Sequence, residues 1–97
     1  MRKEIVDIVP SIYGKELTET ETNILILLWN SRINHETLPS YREIIKELGI
    51  SSTSEARRHI KILEKKGFLT VNFKLSRAIK LNEDEIIYHY REVSDSA

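Results

Sequence analysis

Apolar side chains crowd one segment of the chain and recur at helical intervals in two others. Between Glu19 and Ile33 they fall on two sides of a predicted helix: Ile24, Leu27 and Leu28 on one, and Leu25, Ile26, Trp29 and Ile33 on the other. A shorter periodic apolar segment runs from Tyr41 to Leu48. Ala56, His59, Ile60 and Leu63 mark the inward stripe of a third, which runs from Thr53 to Lys66. Each segment is preceded by a hydroxyl residue with a glutamate three positions on: Thr18 with Glu21, Ser40 with Glu43, Ser52 with Glu55. That spacing fits a capping box, in which hydroxyl and carboxylate satisfy amides that the first helical turn leaves unpaired. Gly49 and Gly67 follow the second and third segments, where a left-handed residue closes a helix. Leu38-Pro39 imposes an extended approach to the second cap.

Only Gly49-Ile50-Ser51-Ser52 separates the second helix from the third, which is the spacing of a helix-turn-helix. After Gly67 the period changes. Phe68–Asn72 and Arg77–Leu81 read as two strands of a hairpin around Phe73–Ser76. A hairpin behind a helix-turn-helix predicts a mainly α winged helix-turn-helix with a small β-hairpin. The flanks add two further predicted helical segments. Ile5, Ile8 and Val9 stand at helical spacing before Pro10, in a run too short to separate helix from strand. Asn82-Glu83-Asp84-Glu85 reads as a helix start leading into Ile86, Ile87, Tyr90 and Val93. The expectation is one domain over residues 1–97, with its core at 17–81 and flanks 1–16 and 82–97 available for dimerisation.

Composition narrows the chemistry. The chain has no cysteine, and His35, His59 and His89 lack metal-ligand spacing, so no metal or cofactor is expected. No nucleophile–base–orienter set or phosphate-cradling glycine loop appears, which argues against an enzyme. The longest apolar run, Ile24–Trp29, is six residues. A membrane span needs roughly 20. Met1-Arg2-Lys3 is not followed by a signal-peptide core, so the expectation is a cytoplasmic protein, nucleoid-associated when bound to DNA.

Net charge is zero overall but unevenly distributed. Residues 1–38 carry four basic and six acidic side chains, residues 39–81 ten and four, and residues 82–97 one and five. A basic module lies between acidic flanks. On the third helix, Ser54, Arg57, Arg58, Lys61 and Lys65 lie opposite the apolar stripe. A major groove about 12 Å wide admits one helix, and arginine pairs bidentately with guanine, so Arg57 and Arg58 are the expected base readers. Lys61, Lys65, Lys74 and Arg77 are expected on phosphates, with Ser40, Tyr41 and Arg42 at the start of the second helix. Phe73 and Leu75 either pack on the hairpin base or wedge into a minor groove.

From Leu17 to Leu81 the chain resembles the DNA-binding domain of the LexA repressor family. The resemblance is carried by Leu17-Thr18, Pro39-Ser40-Tyr41-Arg42-Glu43-Ile44, Leu48-Gly49, Ser52, Ala56, His59-Ile60-Lys61, Leu63, Lys66-Gly67 and Ser76-Arg77-Ala78-Ile79-Lys80-Leu81. It implies a repressor whose third helix enters the major groove, with base contacts falling on Ser52, Ser54, Glu55, Arg57 and Arg58. Family members commonly carry acidic residues where this chain has Arg57 and Arg58, and glycine in the wing, so the operator sequence does not transfer. The chain has no counterpart of the family's self-cleaving serine–lysine peptidase domain, and autoproteolysis is not implied.

The resulting expectation is a sequence-specific, double-stranded-DNA-binding transcriptional regulator. It represses by occupying its operator, with helix 53–66 in the major groove and wing 68–81 on the backbone or in the minor groove. The second apolar side of the first helix predicts a homodimer interface built from Ile26, Trp29, Ile33, Ile86, Ile87 and Tyr90. The alternatives are a protein-interaction winged helix in a larger complex, or a non-specific or replication-related DNA-binding protein.

Overall fold

All three helices start at the hydroxyl residues, and the second and third stop at or just before a glycine. The computed structural model describes residues 2–10, 16–71, 79–83 and 86–93. In it α1 spans Glu19–Ile33, α2 Tyr41–Leu48 and α3 Thr53–Lys65. Thr18 and Ser40 cap α1 and α2 through complete reciprocal boxes with Glu21 and Glu43. Ser52 caps α3, but there the box is half made: the Glu55 amide donates to the Ser52 hydroxyl at 3.2 Å, while the Glu55 carboxylate is engaged elsewhere. Gly49 ends α2 at φ 66°, and a Cβ placed on it would meet nothing within 4 Å. Backbone conformation, rather than crowding, is therefore what requires glycine there.

The hairpin is short and tied to α3. Strands β2 (Leu69–Val71) and β3 (Ile79–Leu81) pair antiparallel, with Thr70 opposite Lys80. The Val71 amide donates to the Glu64 carboxylate at 2.9 Å, and the Asn82 amide donates to the Phe68 carbonyl at 2.9 Å. The expected wing residues Phe73, Lys74, Leu75 and Arg77 lie outside the described residues. A mainly α winged helix-turn-helix with a small hairpin is what the structure has.

The two flanking segments are not helices. Arg2–Pro10 forms β1, and Ile86–Val93 forms the last strand, β4, which pairs antiparallel with β1. The register shifts between Ile5 and Asp7, so Val6 is an inserted bulge residue. A regular strand places positions three apart on opposite faces, but the extra residue returns Ile5 and Ile8 to the same face. Both are buried, and Val6 is 45% exposed. The i, i+3 spacing that suggested a helix is the signature of this bulge. Asn82, expected to begin a second flanking helix, instead donates its side-chain amide to the Gly67 carbonyl at 3.0 Å, and Glu83 pairs with Arg32. The β-branched and aromatic content of Ile86–Val93 then favours the strand.

β1 covers the second apolar side of α1. Ile5 and Ile8 join Ile24, Leu25, Leu28 and Trp29 in one core with Ile44, Ile60, Leu63, Phe68, Leu69 and Leu81. Trp29, expected at a dimer interface, is fully buried within the chain, and Ile26 and Ile33 pack partly against the same core. The side chains of Ile86, Ile87 and Tyr90 lie outside the described residues.

Two polar devices lock this arrangement. Asn30 and Asn34, one turn apart on α1, act as a side-chain substitute for a neighbouring strand. The Asn34 amide oxygen accepts from the Lys3 amide at 3.1 Å while its nitrogen donates to the Lys3 carbonyl at 2.7 Å. Asn30 pairs in the same two-point manner with the Ile5 amide and carbonyl. The second device joins α1 to the end of α3: Lys66 Nζ donates to the buried Glu21 carboxylate at 2.7 Å and to the Glu16 carbonyl at 2.7 Å.

Asn30→Ala leaves the half-buried backbone of Ile5 without partners and is expected to cost about 1–3 kcal/mol. In a thermal melt this should lower Tm by roughly 4–8 °C per kcal/mol. Lys66→Met strands the Glu21 carboxylate in the core and is expected to cost about 3 kcal/mol, the low end for a buried pair. Denaturant titration measures it, and a loss below about 0.5 kcal/mol would show that solvent screens the bridge.

Candidate nucleic-acid interface

The α3 helix separates its faces cleanly. Ala56, Ile60 and Leu63 are buried, while Ser52, Thr53, Ser54, Arg57, Arg58, Lys61 and Lys65 are exposed. Ser54, Arg57, Arg58, Lys61 and Lys65 line one shallow concavity with Ile62, so the expected readers and the two lysines share a surface. His59 is largely buried on the inner flank of the helix, as its place in the apolar stripe implied.

The start of α2 borders this surface. The Arg57 guanidinium lies over the ring of Tyr41, 5.7 Å from its centroid. Tyr41 is half-buried and packs against the core edge. The neighbouring Arg42 is exposed, whereas the Ser40 hydroxyl is occupied, accepting from the Glu43 amide at 3.3 Å and donating to the Glu43 carboxylate at 3.1 Å. The structure thus brings Tyr41 beside Arg57. Lys74 and Arg77 cannot be placed, since both fall outside the described residues.

Glu55 sits inside the cationic surface and is not free to face a base. Its carboxylate accepts from the Ser51 hydroxyl, takes the Arg58 guanidinium at 3.4 Å, and stands 3.8 Å from His59 Nε2. The Ser51 hydroxyl, reinforced by the charges of Arg58 and His59, holds the Glu55 carboxyl below its ordinary range despite the opposing effect of desolvation. A carboxylate with a lowered folded-state pKa keeps its contacts from neutral pH down through the unfolded-state value, and loses them only as the pH falls through the lowered one.

The sequence did not reveal the Arg57–Tyr41 contact, because the two residues are 16 positions apart and meet only through helix packing. The Ser51–Glu55–Arg58 cluster was legible as i, i+4 and i, i+3 spacings across the helix start. Lys80 was also missed. It is exposed on β3, opposite the exposed Thr70, at the base of the hairpin. Among the described residues no cluster of side chains suits a metal ion, and no helix is long and apolar enough to cross a membrane.

Comparison with known proteins agrees with this geometry. The family model of the LexA DNA binding domain matches residues 14–78. The chain is 35% identical over 71 residues to the LexA repressor of Shewanella frigidimarina, an alignment covering 73% of this chain and 35% of that protein. It is 34% identical over 76 residues to the LexA repressor of Caldicellulosiruptor saccharolyticus, covering 77% and 37%. It is 36% identical over 72 residues to that of Tolumonas auensis, covering 73% and 34%. The chain spans about a third of the length of these relatives.

Proposed function

Since the chain belongs to the LexA DNA-binding-domain family, we propose that it is a sequence-specific double-stranded-DNA-binding transcriptional repressor acting by operator occupancy. The observation that carries this reading is the exposed cationic face of α3, set on a scaffold that buries Ala56, Ile60 and Leu63 on the opposite face. In this reading α3 lies in the major groove. Arg57 and Arg58 read guanine edges, and Ser52 and Ser54 meet phosphate at the helix start, where backbone amides and the dipole favour an anion. Lys61, Lys65 and Arg42 neutralise phosphates, joined by Lys74 and Arg77 from the wing and by Lys80 at its base. Family membership, the basic module at 39–81 and the acidic flanks outside it all support this assignment.

The functional unit in this proposal is a homodimer, but one that does not use the α1 face. α1 is already covered by β1, whose own outer edge is occupied by Asn30 and Asn34. The amides and carbonyls of Lys3 and Ile5 turn away from β4 toward those asparagines, so their register partners Glu92 and Tyr90 turn theirs away from β1. Among the described residues no strand pairs with that outer side of β4. A second copy pairing there around a two-fold axis would set two recognition helices side by side. The fold's longest dimension, 35 Å, suits half-sites about one DNA turn apart.

Selection of bound duplexes from a random pool, followed by anisotropy titration at several salt concentrations, tests the function. With about six phosphates neutralised per monomer by Arg42, Lys61, Lys65, Lys74, Arg77 and Lys80, log affinity per monomer should fall against log salt with a slope near −5.4. The Arg57→Ala and Arg58→Ala changes should each cost about 1–3 kcal/mol of discrimination on the selected duplex. A slope near zero would favour the protein-interaction reading, and equal affinity for all duplexes the non-specific one. Tyr90→Pro removes one outward amide from β4 and should turn the dimer into a folded monomer in sedimentation equilibrium. An unchanged dimer would place the interface elsewhere.

A further inference from the structure

Arg57 and Arg58 are consecutive, so the helix turns them about 100° apart, and each leans on a different neighbour. Arg57 lies against the face of Tyr41, which projects from the first position of α2. Arg58 leans back along its own helix onto Glu55, whose carboxylate is in turn held by the Ser51 hydroxyl before the helix begins. The incomplete capping box of α3 has the same origin, because the Glu55 carboxylate faces Ser51 and Arg58 instead of the Ser52 amide.

Arginine loses more rotamer freedom than most side chains when it is fixed in one geometry. A partner that restricts it beforehand removes part of that loss from the binding step. An aromatic ring under the guanidinium plane suits this role, since it leaves the in-plane N–H fork free for two parallel hydrogen bonds. The ring also carries no charge, so it adds nothing to phosphate attraction. Glu55 acts by charge and hydrogen bonding, and its bond to Ser51 anchors it to the turn between α2 and α3 while His59 stands on its other side.

We infer that Tyr41 and Glu55 are positioning residues that set sequence selectivity through the two arginines, Tyr41 acting on Arg57 and Glu55 on Arg58. The inference rests on the reading of α3 as the recognition helix. Neither positioning residue supplies a positive charge, so their loss should degrade discrimination between duplexes without reducing the number of phosphates neutralised.

The full 97-residue chain is titrated with two probes: the duplex most enriched by the wild-type protein, and a duplex of identical composition in scrambled order. The readouts are the ratio of the two affinities and the salt slope. Tyr41→Leu should lower the ratio about two- to fivefold while the slope stays constant. Tyr41→Phe, which keeps the aromatic face, should retain the ratio. Glu55→Gln, which keeps a hydrogen-bond acceptor but not the charge, should lower it with the slope again constant.

If Tyr41→Phe behaves like Tyr41→Leu, or if Tyr41→Leu weakens both duplexes equally, the role of Tyr41 is overturned. An unaltered ratio in Glu55→Gln overturns that of Glu55. Combining Arg57→Lys with Tyr41→Leu probes the same contact from both sides: a combined loss of ratio smaller than the two single losses together supports the inference, and a fully additive loss overturns it. Failure of the wild-type protein to bind duplex in a salt-dependent way would instead overturn the proposed function, and the inference with it.

Discussion

The fold depends on a helix that is apolar around most of its circumference. Leu25 and Trp29 on one side of α1 and Ile24 and Leu28 on the other are all fully buried, which no single neighbouring layer can achieve. α2 and α3 pack on one side of α1 and the β1 strand on the other, so α1 joins the two halves of the core. The exposed face of α3 inherits its rigidity from this arrangement. Ala56, Ile60 and Leu63 are fixed against a helix that is itself enclosed, and the Lys66–Glu21 bridge holds the far end of α3 to the start of α1.

The three helices were legible because their signals are local. A hydroxyl, a glutamate three residues later and a terminal glycine each act within one or two turns, and the observed bounds of α2 and α3 follow them closely. The flanking strands were not legible, for a specific reason. A bulge at Val6 converts a two-residue period into a three-residue spacing, and an isolated i, i+3 pair of isoleucines then imitates a helix. The second apolar side of α1 is legible as a surface that needs covering. What covers it depends on contacts between residues some 25 positions apart, such as those of Asn30 with Ile5. No window along the sequence contains both partners, and an N-x-x-x-N pair on a helix has no established reading as a strand substitute.

The interface shows a similar division. The cationic face of α3 could be drawn from periodicity alone, and the structure keeps Arg57, Arg58, Lys61 and Lys65 together on it. The residues that hold the arginines are of other kinds: a tyrosine on another helix and a glutamate among the basic groups. Charge counting treats that glutamate as a subtraction from the binding surface. Its contacts give it a different meaning, since a fixed carboxylate beside a guanidinium restrains that group and also limits the attraction the surface exerts on arbitrary polyanions. The tether from Glu64 to the Val71 amide also joins α3 to the base of the hairpin.

The asparagine pair on α1 has one further consequence. Strand-mediated assembly grows into fibres only when every subunit offers two unsatisfied edges, one to receive a neighbour and one to receive the next. Here one of the two is occupied from within the same chain by the amide groups of Asn30 and Asn34. Whatever pairs with the remaining edge terminates the stack, so the sheet, two-stranded among the described residues, is protected from open-ended polymerisation by a pair of polar side chains instead of a third strand.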